Sequence, residues 1–136
     1  LEIRQFLTER GLGVLGLAAE GESYTIPIAF AYDEDAGRCI FRFLATQDSQ
    51  KMEYVSRTDV ASLTAFDWTG PDDWRSVILR GPLSKLADDE MGQAAALFSD
   101  LGAEAALDVF NEPVSAYETG WYEMQIDEIT GRGGFE

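Results

Sequence analysis

The chain has 136 residues, of which 46% are hydrophobic and 12% aromatic, enough apolar material for one domain with a conventional core. Asp and Glu number 25 against 10 Lys and Arg, and the formal net charge of −15 argues against DNA, RNA and anionic membranes as partners. With one cysteine, Cys39, and no histidine, the chain has no internal disulfide, none of the usual zinc sites and no triad that needs imidazole.

The surroundings of the protein follow from the same composition. No segment approaches the roughly 20 apolar residues of a membrane span, and no basic region precedes an apolar run, so we expect a soluble cytoplasmic protein. The spread of acids, with Lys51 and Lys85 as the only lysines, resembles cytosolic proteins of salt-loving archaea; an ordinary acidic protein is the alternative. The chain begins at Leu1 and not at Met, which is the pattern of a fragment of a longer gene product.

The start of the chain predicts a helix followed by a hairpin. Residues 1–10 carry apolar side chains at helical spacing, and Gly11 follows where a helix would end. The apolar residues 12–18 and 24–32 flank a short polar turn and predict two strands, the second buried on both faces. Pro27 lies inside the second run, so we expect there an edge, a bulge or a neighbour other than a strand.

The middle of the chain predicts a second hairpin, a helix and a third hairpin. Residues 38–44 form the next strand, and residues 50–57 form a helix. The β-rich residues 60–68 and 74–83 are separated by the turn-forming residues 69–73, which predicts the third hairpin.

The end of the chain completes the expected fold. Three acids at residues 88–90 begin an alanine-rich segment that extends to about Phe110 and predicts one or two helices, and residues 119–126 predict a last strand. We see no repeat or linker, so residues 1–136 are read as one domain. These elements predict an α+β fold, a six-stranded antiparallel barrel with flanking helices; their order also allows an open sheet backed by helices.

The segment Ser49, Gln50 and Lys51 is the clearest candidate for chemistry. It leaves a strand through a polar loop and enters a helix, so two backbone N–H groups, a hydroxyl and an ammonium can converge on one anion such as a phosphate. Arg42, on the preceding strand, is a second cation that can reach the same place. The alternative is that Ser49 or Asp48 only caps the helix, Lys51 is solvated and Arg42 pairs with a carboxylate.

The order of these features resembles the FMN-binding split barrels related to pyridoxamine 5'-phosphate oxidase. The resemblance extends from about Gly13 to Leu86. Its landmarks are residues 24–28, 39–51, 60–68 and 74–83. It implies a split β-barrel, FMN as cofactor and a homodimer.

The resemblance and the anion argument together give seven cofactor-binding candidates: Ile26, Pro27, Ile28, Arg42, Ser49, Lys51 and Ser76. In the family, the segment that matches Ser49 and Lys51 holds the FMN phosphate, and Arg42 is added here as a further cation. The strand of residues 26–28 is implied to lie along the isoalloxazine ring, and Ser76 to face the flavin. No catalytic residue and no metal site are predicted.

The chain also departs from the oxidase itself. The pattern of that enzyme has an Arg and a Lys on the strand that here carries Pro27, Ile28 and Ala29, and a C-terminal Arg-x-His group. We therefore do not expect pyridoxamine phosphate as substrate. The expectation is an FMN-dependent oxidoreductase that uses NAD(P)H or another small-molecule electron donor. The alternatives are a non-catalytic carrier of flavin or of the deazaflavin F420, and a dimeric barrel without ligand.

Overall fold

The computed structural model describes residues 2–45, 50–90, 92–94, 96 and 118–134. In chain order, its helices and strands are α1 (Glu2–Glu9), β1 (Leu12–Ala19), β2 (Glu22–Asp33), β3 (Arg38–Ala45), α2 (Gln50–Arg57), β4 (Ala61–Gly70), β5 (Asp73–Gly81), β6 (Leu83–Lys85), a 3₁₀ turn (Asp88–Glu90), β7 (Glu118–Gln125) and β8 (Glu128–Gly133). Most of these elements lie close to their predicted bounds, and α2 has the predicted ones. The predicted helical segment after residue 96 lies outside the described residues, as does the predicted cap at Asp48 or Ser49.

The strands form one antiparallel sheet in the order β6-β7-β3-β2-β1-β4-β5-β8. Only Pro82 separates β5 from β6, so two strands near opposite ends of this order are consecutive in the chain. The N–H of Gln125 donates to the carbonyl of Pro82 at 3.1 Å, and the N–H of Asp127 donates to the carbonyl of Arg80 at 2.9 Å. The sheet therefore curls on itself into a split β-barrel of the α+β class, as the sequence predicts.

Two strands come in addition to the predicted six. Pro82 divides the predicted strand 74–83 into β5 and β6, because proline has no N–H for the ladder of hydrogen bonds. The other, β8, has the sequence EITGRG, whose glycines and charges obscure the alternation of a strand. Pairing with β5, from Arg75 opposite Gly133 to Arg80 opposite Glu128, holds this segment extended.

Alternate residues of the strands fill the barrel. The largest fully buried side chains are Phe6, Phe30, Phe41, Phe43, Leu7, Leu15, Leu17, Ile40, Leu63, Leu79, Met124 and Val77. A second, smaller cluster lies on the outer side of the sheet, at β2, β3 and β7. It contains Ala29, Ala31, Ile40, Leu86 and Ala94, and Trp121 packs against it. Residues 28–32 of β2 are therefore buried on both faces, as predicted. Residues 22–27 are exposed or half-buried, so the predicted burial on both faces is wrong for residues 24–27.

A buried arginine ties the second cluster to the sheet. The guanidinium of Arg38 lies 3.0 Å from Asp33, 2.5 Å from Glu123 and 3.5 Å from Glu90, and its side chain is 8% exposed. Burial opposes the charged form, but the hydrogen bonds to Glu123 and Asp33 outweigh it, and the pKa of Arg38 is raised. One cation thus joins β2, β3, β7 and the 3₁₀ turn.

A substitution at Gly81 tests whether the sheet curls so that β5 approaches the end of β7. A Cβ at this position would overlap the carbonyl oxygen of Gln125, a backbone atom that no side-chain rotation can remove. We expect Gly81→Ala to lower the free energy of unfolding by about 3 kcal/mol or more, measured by urea denaturation. The control is Gly70→Ala, where a Cβ would have no atom within 4 Å, and whose effect should stay below about 1 kcal/mol. Equal stability of the two variants would contradict the described approach of β5 to β7.

Candidate functional site

An opening between β2 and β3 is the feature from which the site is built. β2 pairs with β1 along residues 22–29, but with β3 only along residues 30–33. The last pair is Phe30 with Phe41, and beyond it no described strand occupies the second edge of residues 22–29. We call the space between residues 22–29 of β2 and residues 42–45 of β3 the split.

Pro27 lies at the open edge of this split. The N–H of Phe30 donates to the carbonyl of Gly11, which lies on the β1 side. Because backbone groups along a strand alternate in direction, residue 27, three positions earlier, turns its own toward the split. Pro27 has no N–H to leave unpaired there, but its carbonyl and both backbone groups of Thr25 face the split without a described strand partner. Of the three alternatives that the sequence leaves open at Pro27, the described residues show the edge.

The three predicted ring-lining residues do not point the same way. Ile28 belongs to the barrel core with 8% exposure, and the partly buried Ile26 packs against that core. Pro27 is exposed on the outer side of the sheet, opposite Val14 of β1. Only Pro27 therefore directs its side chain outward, and cofactor contact by Ile26 and Ile28 stays a prediction.

Arg42 lies where β3 leaves β2. It is the first residue of β3 after the last β2–β3 pair, it is half-buried, and its register partner in β7 is Trp121. The guanidinium carbon lies 5.6 Å from the centre of the Trp121 ring, which is within the range of a cation–π interaction. No carboxylate of the described residues forms an ion pair with Arg42, so the pairing considered in the sequence analysis is not observed among them.

Helix α2 begins near the same end of the barrel. Lys51 lies in its first turn, whereas Ser49 and the side chain of Lys51 are outside the described part of the chain. Since β2 and β3 are antiparallel, the end of β3, which leads to α2, lies at the same end of the sheet as the start of β2. Of the predicted phosphate segment, the structure thus describes the backbone of Gln50 and Lys51, which begin α2 after the end of β3.

Contacts of its second half fix α2 against the start of β2. The ring of Tyr54 stacks on that of Tyr24 with 5.2 Å between centroids, and its hydroxyl donates to Glu22 at 3.1 Å. This hydrogen bond to a carboxylate raises the pKa of Tyr54, which keeps the phenol neutral. The hydroxyl of Thr58 accepts the N–H of Ala18 at 3.2 Å.

Ser76 shares the outer side of the sheet with Pro27 but lies far from it. One row of the register crosses β2, β1, β4 and β5 through Pro27, Val14, Thr64 and Ile78. Three steps of about 4.8 Å make this row about 14 Å long, and Ser76 lies one outward position beyond its end. Within one chain, Ser76 is therefore not brought to the split.

Sequence reasoning missed the contact of Trp121 with Arg42. The alternation of the last strand places this residue on the outer side, but only the pairing of β7 with β3 brings its ring to Arg42. No group of three His, Cys, Asp or Glu side chains suited to a metal ion occurs within residues 2–45, 50–90 and 118–134. Along the same stretches, no helix combines the length and the hydropathy needed to cross a membrane.

The chain is similar to known proteins in sequence and in fold. Residues 1–133 match a sequence model of the family described as pyridoxamine 5'-phosphate oxidase. No curated protein matches the chain. A FAD-binding protein from Mesorhizobium loti is similar with a TM-score of 0.76 and 21% identity, over 96% of this chain and 91% of that one.

Two proteins from Mycobacterium smegmatis are also similar. The FAD binding protein has a TM-score of 0.69 and 22% identity, over 96% of this chain and 91% of the other. The heme binding protein has a TM-score of 0.73 and 14% identity, over 98% of this chain and 53% of the other. At these identities, the likeness shows the split-barrel fold.

The open edge can be tested by moving a proline across the hairpin. Pro27→Ala adds an N–H that faces the split, so the free energy of unfolding should change by less than about 1 kcal/mol. Val14→Pro removes an N–H from β1, which has β2 on one side and β4 on the other, and should cost more than about 1.5 kcal/mol. Urea denaturation measures both. A large loss in Pro27→Ala would show that residue 27 is not at an edge.

Proposed function

We propose, from the premise that the chain belongs to the pyridoxamine 5'-phosphate oxidase family, that it binds FMN at the split and acts as a flavin-dependent oxidoreductase. Membership rests on the match over residues 1–133. Pyridoxamine phosphate is not the proposed substrate, because β2 carries Pro27, Ile28 and Ala29 where the oxidase has cations, and the chain has no histidine.

The observation that carries the proposal is the unpaired edge of β2 at Pro27. A flavin needs a flat apolar slot with backbone donors and acceptors at its pyrimidine edge. The carbonyl of Pro27 and the N–H and carbonyl of Thr25 face the split without a described strand partner, and the Pro27 ring is exposed beside Val14. A ring laid along this edge would satisfy backbone groups that otherwise need water.

The phosphate is assigned to the cations at the same end of the barrel. Lys51 lies in the first turn of α2, Ser49 precedes it, and Arg42 stands where the strands part. Helix N-termini favour anions, and an ammonium or guanidinium strengthens each hydrogen bond to a phosphate oxygen. The chain has only 10 basic residues against 25 acidic ones, so the assignment of two cations to one ligand would make the site selective for an anion.

FMN, when bound, would supply the hydride or electron transfer, with electrons from NAD(P)H or another small-molecule donor. The chain binds and orients the ring and the phosphate; none of its described side chains is assigned as a proton donor or acceptor. Ser76, on the outer side of β5, lies away from the split of its own chain, so its proposed place facing a flavin requires the second copy of the homodimer.

A homodimer is part of the proposal, and the outer side of the sheet supports it. Five large apolar side chains lie exposed on the outward positions of β1, β4 and β5: Leu12, Phe66, Trp68, Trp74 and Ile78. The described outward positions of β1, β4 and β5 carry no carboxylate, and those of β2 carry one, Asp33, which pairs with Arg38. Two copies of charge −15 repel each other least where acids are absent, and exposed apolar patches of this kind mark contact surfaces.

A non-catalytic carrier of flavin or F420 is the second candidate, and FAD is the variant that the names of two structural neighbours favour. Purification in molar KCl, followed by chromatography of the released chromophore, separates FMN, FAD and F420. Anaerobic reduction by NAD(P)H and reoxidation by an acceptor support the enzyme. Bound flavin that stays oxidised under NAD(P)H supports the carrier, and a colourless protein that takes up none of the three contradicts both.

The two lysines of the chain provide a matched test of the phosphate assignment. Lys51→Ala should weaken FMN binding about ten- to hundredfold, because one charge-assisted contact contributes ~1.5 to 3 kcal/mol. Lys85→Ala removes the same charge from the exposed end of β6 and should leave the affinity unchanged. Fluorescence titration of FMN in molar KCl measures both. Unchanged affinity in Lys51→Ala would remove Lys51 from the phosphate site.

A further inference from the structure

Arg42 is unusual among the described arginines. Most of them lie 2.5–3.9 Å from a carboxylate oxygen: Arg4, Arg10, Arg38, Arg57, Arg75 and Arg80. Arg42 and Arg132 have no such partner within residues 2–45, 50–90 and 118–134. Arg132 is exposed to water, whereas Arg42 is half-buried. A half-buried guanidinium without a carboxylate, in a chain with 25 acids, is a feature that needs a physical reason.

Trp121 is the partner that Arg42 has instead. The two residues are opposite each other in the β3–β7 pair, and the guanidinium carbon lies 5.6 Å from the ring centre. The ring packs against the second apolar cluster, and the carbonyl of Trp121 accepts the N–H of Leu86 at 2.9 Å. The indole is therefore fixed by its packing against this cluster, and the Arg42 guanidinium lies within cation–π range of it.

An aromatic partner leaves an arginine able to bind an anion. A guanidinium interacts with a ring through its planar face, so its N–H donors, which lie in that plane, stay available. These donors match the oxygens of a phosphate in a bidentate arrangement. A carboxylate partner would occupy the same N–H edge and cancel the charge.

Described acids on this side of the sheet form ion pairs with another arginine, Arg38. Glu123 lies two residues after Trp121 on the same side of β7, and its carboxylate is bound by Arg38 at 2.5 Å. Arg38 also binds Asp33 and Glu90. Among the described residues, the carboxylates of Asp33, Glu90 and Glu123 thus lie against Arg38 and not against Arg42.

We propose that Trp121 is a positioning residue that holds the Arg42 guanidinium for the phosphate of the flavin nucleotide, and that this pair selects phosphorylated flavin over riboflavin. The inference rests on the proposed function, and it adds Trp121 and the selectivity to it. Arg42 stands at the point where β3 leaves β2, so a phosphate bound there lies at the mouth of the split.

Affinities for FMN and riboflavin test the pair, because the two ligands differ only in the phosphate. The wild type should bind FMN more tightly than riboflavin. Trp121→Leu should weaken FMN binding roughly five- to tenfold and leave riboflavin binding unchanged. Trp121→Phe retains an aromatic face and should restore most of the preference. Riboflavin binding in each variant also reports that the barrel is folded.

A double-mutant cycle shows whether Trp121 acts through Arg42. In an Arg42→Gln background, Trp121→Leu should produce no further loss of FMN affinity. Arg4→Gln is the matched control, because it removes the same charge from α1, where the exposed Arg4 pairs with Glu34 at 3.2 Å. It should leave both affinities unchanged.

The outcomes separate the two proposals. A wild type that binds neither flavin overturns the proposed function and this inference together. A wild type that prefers FMN, with the same preference in Trp121→Leu, overturns the inference alone. So does an equal loss of FMN and riboflavin affinity in Trp121→Leu, or an additive loss in the double variant, because either result assigns Trp121 a structural role only.

Discussion

Every backbone N–H and C=O group requires a hydrogen-bond partner, and this requirement explains more about the molecule than any other. β2 satisfies this requirement differently along its length: residues 30–33 pair with β3, and the N–H of Phe30 donates to Gly11 on the other side, whereas residues 22–29 pair with β1 alone. Proline at position 27 removes one donor at the open edge, and it discourages another strand from adding there. The split is therefore built into β2, and the ligand site proposed here is a consequence of that edge.

The scarcity of cations makes the position of each one informative. In a chain of net charge −15, most described arginines neutralise a carboxylate, and Arg38 engages three at once in a nearly buried cluster. Arg42 rests on an indole instead, and its charge is not cancelled by a described neighbour. The same balance applies to the outer side of the sheet, where the outward positions of β1, β4 and β5 carry no acid and provide the surface proposed for the contact of two acidic copies.

The fold itself is permissive about its ligand. Of three structures that share it at 14–22% identity, two are named for FAD and one for heme. A curled sheet of this kind provides an open edge and a flat outer side, and individual residues at that edge then decide what binds. In this chain we propose Pro27, Arg42 and Lys51 for that role, and β2 carries apolar side chains where the oxidase pattern has cations.

Local pattern alone was sufficient for much of the architecture: the bounds of α2, the double burial of residues 28–32 and the exceptional place of Pro27 follow from periodicity and from the chemistry of proline. It did not reveal β8, whose glycines and charges carry no strand signal until β5 pairs with them, nor the division of β5 from β6 at Pro82. Only the tertiary structure decided two further features. It brings Arg42 to Trp121, which is distant in the chain, and it separates Ser76 from the split. The reason is physical: alternation sets the side of the sheet on which a residue lies, whereas its neighbours depend on which strands pair and in what register.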